Sequence, residues 1–176
     1  MESLSRGAAR VLFVEKNGKA IGILRNNLQS LGDEAFERGV VIKADAWDPP
    51  VMHRSLFGAA RDEDADADAD VDAETDGGAE VEIAPDIIFL DPPYSMVAED
   101  PVKSMARARR LLDRTADKGC VLFHFERGVL DEDDFDSNLD VDLREWGTSV
   151  VAMLWREGDA PAAVYKRRAK ERAKGN

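Results

Sequence analysis

Asp91, Pro92, Pro93 and Tyr94 follow the apolar run of residues 87–90 without a break. An exocyclic amine on a nucleobase is a poor nucleophile, because its lone pair is delocalised into the ring. Hydrogen bonds from its two N–H groups to the Asp91 carboxylate and the Pro92 carbonyl would draw it toward a tetrahedral, attacking geometry. The two prolines hold φ fixed and bring no N–H of their own to occupy those acceptors. Tyr94 offers a ring face on which a flipped base can stack, a role in which the hydroxyl is dispensable. The plainer reading of the same four residues is a rigid turn at the end of a strand.

Two other acids set the chemical reading above the plain one. Glu15 ends "VLFVE" and Asp45 ends "VVIKAD". Open α/β sheets bind ligands outside the carboxyl ends of their strands. Acids at three successive strand ends are therefore expected to face one crevice. In that position Glu15 suits the two hydroxyls of a ribose, and Asp45, one strand further out, suits an adenine amine.

The elements that must position these groups are legible as periods. Residues 11–15, 39–45, 86–90, 120–125 and 149–155 are short apolar runs of the kind that form buried strands. Ala20, Ile21, Leu24, Leu28 and Leu31 recur at three- and four-residue steps, the stripe of an amphipathic helix that Gly32 can cap. Residues 102–116 read as a second helix through Met105, Leu111 and Leu112. "VDLREWG" (141–147) lies close enough to the last strand to form a hairpin with it. Alternating strands and helices predict an α/β fold, a mostly parallel sheet with a C-terminal antiparallel hairpin.

The charge is segregated. The chain of 176 residues carries a net charge of −12, and residues 61–82 hold eleven acids against one arginine, a net of −10. This segment has almost nothing to bury and reads as an acidic, disordered insertion. Asp66, Asp68 and Asp70 have the opening spacing of a calcium loop, but Val71 stands where the turn glycine belongs. The segment 158–176 is a basic tail, with a phosphate contact or a solvated terminus as its two readings. One cysteine, Cys120, leaves no internal disulfide framework. His53 and His124 have no Cys or His partner at metal spacing, so no metal is expected, and His124 reads as a core or crevice residue. Without a membrane-length apolar run or an opening signal peptide, the chain is expected to be a cytoplasmic monomer.

"ESLSRGAARVLFVEKN", "NNLQSLG", "KADAW", "DIIFLDPPY" and "LFHFERG" occur in this order. The sequence thereby resembles the RsmD-like small-subunit (16S) ribosomal RNA guanine-N2 methyltransferases. The resemblance implies a Rossmann-like S-adenosylmethionine-dependent fold over residues 1–157 and ribosomal RNA, or the small ribosomal subunit, as partner. By the same resemblance Glu15, with Lys16 beside it, would bind the cofactor ribose. Asp45 and Ala46 would meet its adenine, Asp91 would also border the cofactor, and Asp91, Pro92, Pro93 and Tyr94 would receive the guanine amine. It further implies a strand and a glycine-rich loop ahead of the "ESLSRGA" helix. The sequence opens inside that helix, so the domain reads as partial and N-terminally truncated. An adenine-N6 methyltransferase on DNA or RNA, and a non-catalytic remnant acting as an interaction protein, remain the alternative readings.

Overall fold

The computed structural model describes residues 1–57 and 81–172. The chain forms two compact units, Met1–Ile83 and Ala84–Asn176.

In the first unit a short helix α1 (Glu2–Ser5) leads to strand β1 (Val11–Glu15), helix α2 (Gly18–Gln29), helix α3 (Asp33–Arg38) and strand β2 (Gly39–Lys43). β1 and β2 pair in parallel, Val11 opposite Gly39 and Glu15 opposite Lys43. Asn17 starts α2 by accepting the Lys19 and Ala20 amides on its side-chain oxygen, at 2.9 and 3.2 Å. This satisfies donors that the first helical turn leaves without partners. Ile21 and Leu28 turn inward against Leu4 and Val41, with Phe13, Leu24 and Phe36 around them. Gly39 leaves room for this packing: a Cβ there would lie 2.6 Å from the Leu28 Cδ1, so the buried leucine would have to shift. Gly32, at φ 92°, lies beyond Ser30, the cap of α2, and forms instead the N-cap of α3.

The first unit also closes a loop. Arg54 donates its amide to the Val81 carbonyl at 3.0 Å, and Ile83 donates to Met52 at 2.7 Å. His53 and Glu82 thus form an antiparallel bridge. Apart from Val81 and Glu82, the acidic segment 61–82 lies outside the described residues.

The second unit runs β3 (Ile87–Leu90), α4 (Tyr94–Glu99), α5 (Pro101–Asp113), β4 (Cys120–Glu126), β5 (Leu139–Trp146), β6 (Ser149–Arg156) and α6 (Ala162–Arg172). Its sheet has the order β3-β4-β6-β5. β3 pairs with β4 in parallel, and β6 enters between β4 and β5 in antiparallel pairing. Asp100 caps α5 through the Lys103 amide at 3.0 Å, and Pro101 occupies a first-turn position where no N–H is needed. Ser104, Ala108, Leu111 and Leu112 form the buried face of α5. At its other end the Arg156 guanidinium donates to the carbonyls of Leu112, Thr115 and Ala116 at 2.8 to 3.1 Å. A cation there adds donors to the carbonyls that gather at the helix C-terminus and answers the negative end of the helix dipole. Phe123 and Phe125, fully buried on alternate positions of β4, sit 5.2 Å apart at the centre of the sheet.

The strands and the hairpin fall where the periodicity places them, but the sheet expectation needs correcting. In place of one mostly parallel sheet, the described strands form two, with parallel pairing in β1–β2 and β3–β4 only. Joining β5 and β6 by a tight turn forces their antiparallel pairing, and β6 is the arm of that hairpin that lies against β4, also antiparallel. The segment read as a basic tail carries α6, which buries Val164 with Trp155 and Ala160. Asp140, on β5, accepts from the amides of Gly158 (2.8 Å) and Ala160 (3.4 Å) and from the Tyr165 hydroxyl. Asp142, also buried, pairs with Arg144 and Arg167.

Candidate functional site: strand-end carboxylates and a histidine relay

Each unit carries its share of the residues singled out in the sequence. In the first, parallel register brings Glu15 and Asp45 to the same edge. Glu15 faces Lys43, and the Ala44 amide donates to the Glu15 carbonyl at 3.2 Å, so the two carboxylates leave adjacent strands at their carboxyl ends. Glu15 Oε1 accepts the Asn17 amide at 2.7 Å. Asp45 Oδ1 accepts the Trp47 amide at 2.9 Å, and its carbonyl accepts from Asp48 at 3.0 Å. Each acid therefore spends one oxygen on the turn that follows its strand. Lys16, Asp45 and Ala46 are exposed, Glu15 is half-buried, and Trp47, the residue after Ala46, is buried.

In the second unit Asp91 leaves β3 directly after Leu90, whose register partner is Phe123. The next residue on the neighbouring strand is His124. Its Nδ1 lies 2.7 Å from Asp91 Oδ1, and its Nε2 lies 2.9 Å from the Tyr94 hydroxyl. The tyrosine ring meets the imidazole edge-on, at 5.2 Å and 84°. The Tyr94 oxygen is also 2.6 Å from Ser149 Oγ, at the start of β6. Pro92 is buried, and Pro93 caps α4, its carbonyl accepting the Met96 amide at 3.0 Å. The prolines hold the backbone between Asp91 and Tyr94, so one short turn delivers both side chains to the same histidine.

Sequence reasoning names Asp91 and Tyr94 but gives His124 no part in the chemistry and does not name Ser149. The available signal for His124 was its place: a histidine near the carboxyl end of the strand that parallels "IIFL". The tyrosine, expected to work through its ring face, also engages its hydroxyl. Among the described residues no group of three or more His, Cys, Asp or Glu side chains could hold a metal ion. No helix of the described residues is long and apolar enough to cross a membrane.

Three solved structures have the same architecture. A conserved hypothetical protein of Streptococcus pyogenes superposes with a TM-score of 0.59 at 21% identity, over 91% of this chain and 79% of that one. A "putative methylase" of Haemophilus influenzae gives 0.53 at 18%, over 88% and 77%. A "putative methyltransferase" of Escherichia coli gives 0.53 at 18%, over 89% and 68%. The chain shares their fold. A family described as "Conserved hypothetical protein 95" matches residues 1–52, the stretch that contains Glu15, Lys16, Asp45 and Ala46. No curated protein matches the sequence.

Proposed function

We propose that the chain is an S-adenosylmethionine-dependent methyltransferase acting on the exocyclic N2 of a guanine in small-subunit ribosomal RNA. The observation that carries this reading is Asp91: a carboxylate at the end of β3 with one oxygen fixed by His124 at 2.7 Å and the other left for a ligand. The names of two of the structural neighbours, and the resemblance of "ESLSRGAARVLFVEKN" and "DIIFLDPPY" to the RsmD-like enzymes, support it.

The residues fit such a cofactor in type. Glu15 and Asp45 each keep one carboxylate oxygen beyond the one that orders its own turn. Those oxygens can accept from ribose hydroxyls and from an adenine amine, with Lys16 and Ala46 beside them. The bound cofactor would supply an electrophilic methyl group. The protein's part is to hold the acceptor amine. Asp91 and the Pro92 carbonyl accept its two N–H groups, which localises the nitrogen lone pair for attack. Tyr94 supports the base. Interactions of this kind act by orientation and gain strength in the transition state. The proposal places the enzyme in the cytoplasm, where ribosomal RNA or the small ribosomal subunit would be its partner, and takes it to be a monomer.

The test is incubation of the full chain with labelled S-adenosylmethionine and undermethylated small-subunit ribosomal RNA, followed by mass analysis of the nucleosides. N2-methylguanosine is expected. N6-methyladenosine would move the substrate to adenine, and neither cofactor binding nor transfer would leave a non-catalytic interaction protein. Asp91→Ala should abolish transfer while cofactor affinity, measured by calorimetry, stays within about threefold, since the carboxylate acts on the amine.

A further inference from the structure

We propose that His124 is a positioning residue for the acceptor amine: it fixes the Asp91 carboxylate so that a single oxygen is presented to the substrate, an inference that rests on the reading of Asp91 above. The Asp91 side chain is 74% exposed and the His124 side chain 29%. An exposed aspartate samples several rotamers, and ordering it costs conformational entropy at the moment of binding. His124 meets that cost in advance, because it stands on β4, which is paired on both sides by β3 and β6. Its backbone has no freedom to follow the carboxylate; the carboxylate must follow it.

With the imidazole neutral, the donors and acceptors give the relay one direction. A carboxylate only accepts, so His124 Nδ1 carries the proton of the 2.7 Å bond. The neutral imidazole then offers Nε2 as an acceptor, and the Tyr94 hydroxyl donates to it at 2.9 Å. That leaves the Tyr94 oxygen to accept from Ser149 Oγ at 2.6 Å. Serine, tyrosine and histidine thus donate in one direction, toward Asp91, and each bond polarises the next. Asp91 Oδ1 is engaged and oriented by this chain. Oδ2 remains for one N–H of the amine, and the other N–H falls to the Pro92 carbonyl. The role is one of orientation; His124 touches neither the amine nor the methyl group.

Three substitutions in the full chain separate this role from packing. His124→Asn keeps an N–H donor near the position of Nδ1 and loses the bond to Tyr94. His124→Gln reaches toward Tyr94 and loses the bond to Asp91. His124→Phe keeps the ring and loses both. Under the proposal, His124→Phe and His124→Gln lower kcat by about 100-fold, the scale of a misplaced reacting group. His124→Asn should recover about tenfold of that loss, with cofactor affinity unchanged in all three. A packing role predicts the reverse order, with the phenylalanine variant the least affected. In parallel, nitrogen NMR of the imidazole in the unsubstituted chain should show Nδ1 protonated and Nε2 unprotonated. The opposite tautomer, or an active wild type in which His124→Phe equals or exceeds His124→Asn, would overturn the role of His124 alone. A wild type that neither binds S-adenosylmethionine nor transfers a methyl group would overturn the reading of Asp91 beneath it.

Discussion

Glu15 ends β1 with a carboxylate oxygen 2.7 Å from the amide nitrogen of Asn17, and Asn17 in turn caps α2. Under the proposed function this acid has two duties, ordering the turn with one oxygen and offering the other to the cofactor ribose. The duties separate by substitution. Glu15→Ala removes the acceptor and should lower unfolding free energy by about 1 kcal/mol. Glu15→Gln keeps an acceptor oxygen and should leave stability nearly unchanged. Both should weaken S-adenosylmethionine binding by roughly 10- to 100-fold, since the charged contact to the ribose is lost. Denaturant titration and calorimetry on the two variants check this; full affinity in Glu15→Ala would remove Glu15 from the cofactor site.

Tyr94→Phe follows from the hydroxyl rather than from the ring. The sequence alone predicts tolerance, because the face that stacks is kept. In the structure the hydroxyl links His124 to Ser149. Its loss should cost about 1 kcal/mol of stability and lower turnover, with Ser149→Ala having the smaller effect of the two. Turnover at the wild-type rate in Tyr94→Phe would return the role to the ring alone.

Burial pushes the Cys120 thiol above its ordinary value. A raised pKa leaves less thiolate at any given pH, and the thiolate is the reactive form. Alkylation by iodoacetamide at pH 8 should therefore run slower than for an unfolded sample of the same chain, and the difference should vanish in denaturant. Equal rates in the two states would show the thiol to be open.

The Asp140 carboxylate predicts how α6 responds to pH and mutation. Its hydrogen bond from the Tyr165 hydroxyl, with desolvation and the nearby charge, raises the tyrosine pKa. The protonated tyrosine is thus favoured by folding, and its contribution is complete below the unfolded value near 10. It is lost as pH rises through the raised folded value. Ultraviolet titration of Tyr165 should show late ionisation, which Tyr165→Phe removes. Asp140→Ala leaves the Gly158 and Ala160 amides without their acceptor and should destabilise by about 2 kcal/mol or more. Hydrogen exchange should then rise first across residues 158–165; unchanged protection there would show that Val164 alone holds the helix.

The bridge between His53 and Glu82 closes the loop that contains the acidic segment. Replacing residues 58–80 with a short Gly-Ser link that spans this bridge should leave unfolding cooperative. Stability should change by no more than about 1 kcal/mol, because closure entropy varies only with the logarithm of loop length. Loss of cooperativity on thermal unfolding would show that the replaced residues pack. If the segment repels RNA, its removal should also tighten RNA binding most at low salt.

Much of this protein follows from its sequence alone. Local periodicity set the strands at 11–15 and 120–125 and the helix around Leu28, because side-chain alternation and the helical repeat are properties of neighbouring residues. Acids and prolines at strand ends marked Glu15, Asp45 and Asp91 for the same reason. What only the tertiary structure decided are relations across the chain. Leu90 opposite Phe123 puts Asp91 beside His124, and the turn of β6 brings Ser149 to Tyr94, over separations of 33 and 55 residues. Asp140 and Asp142 are buried because α6 covers that end of β5, a contact that the hairpin pattern does not carry. Register and the packing of a helix on a sheet are fixed by the combined burial of distant segments, so no local pattern in the sequence carries them.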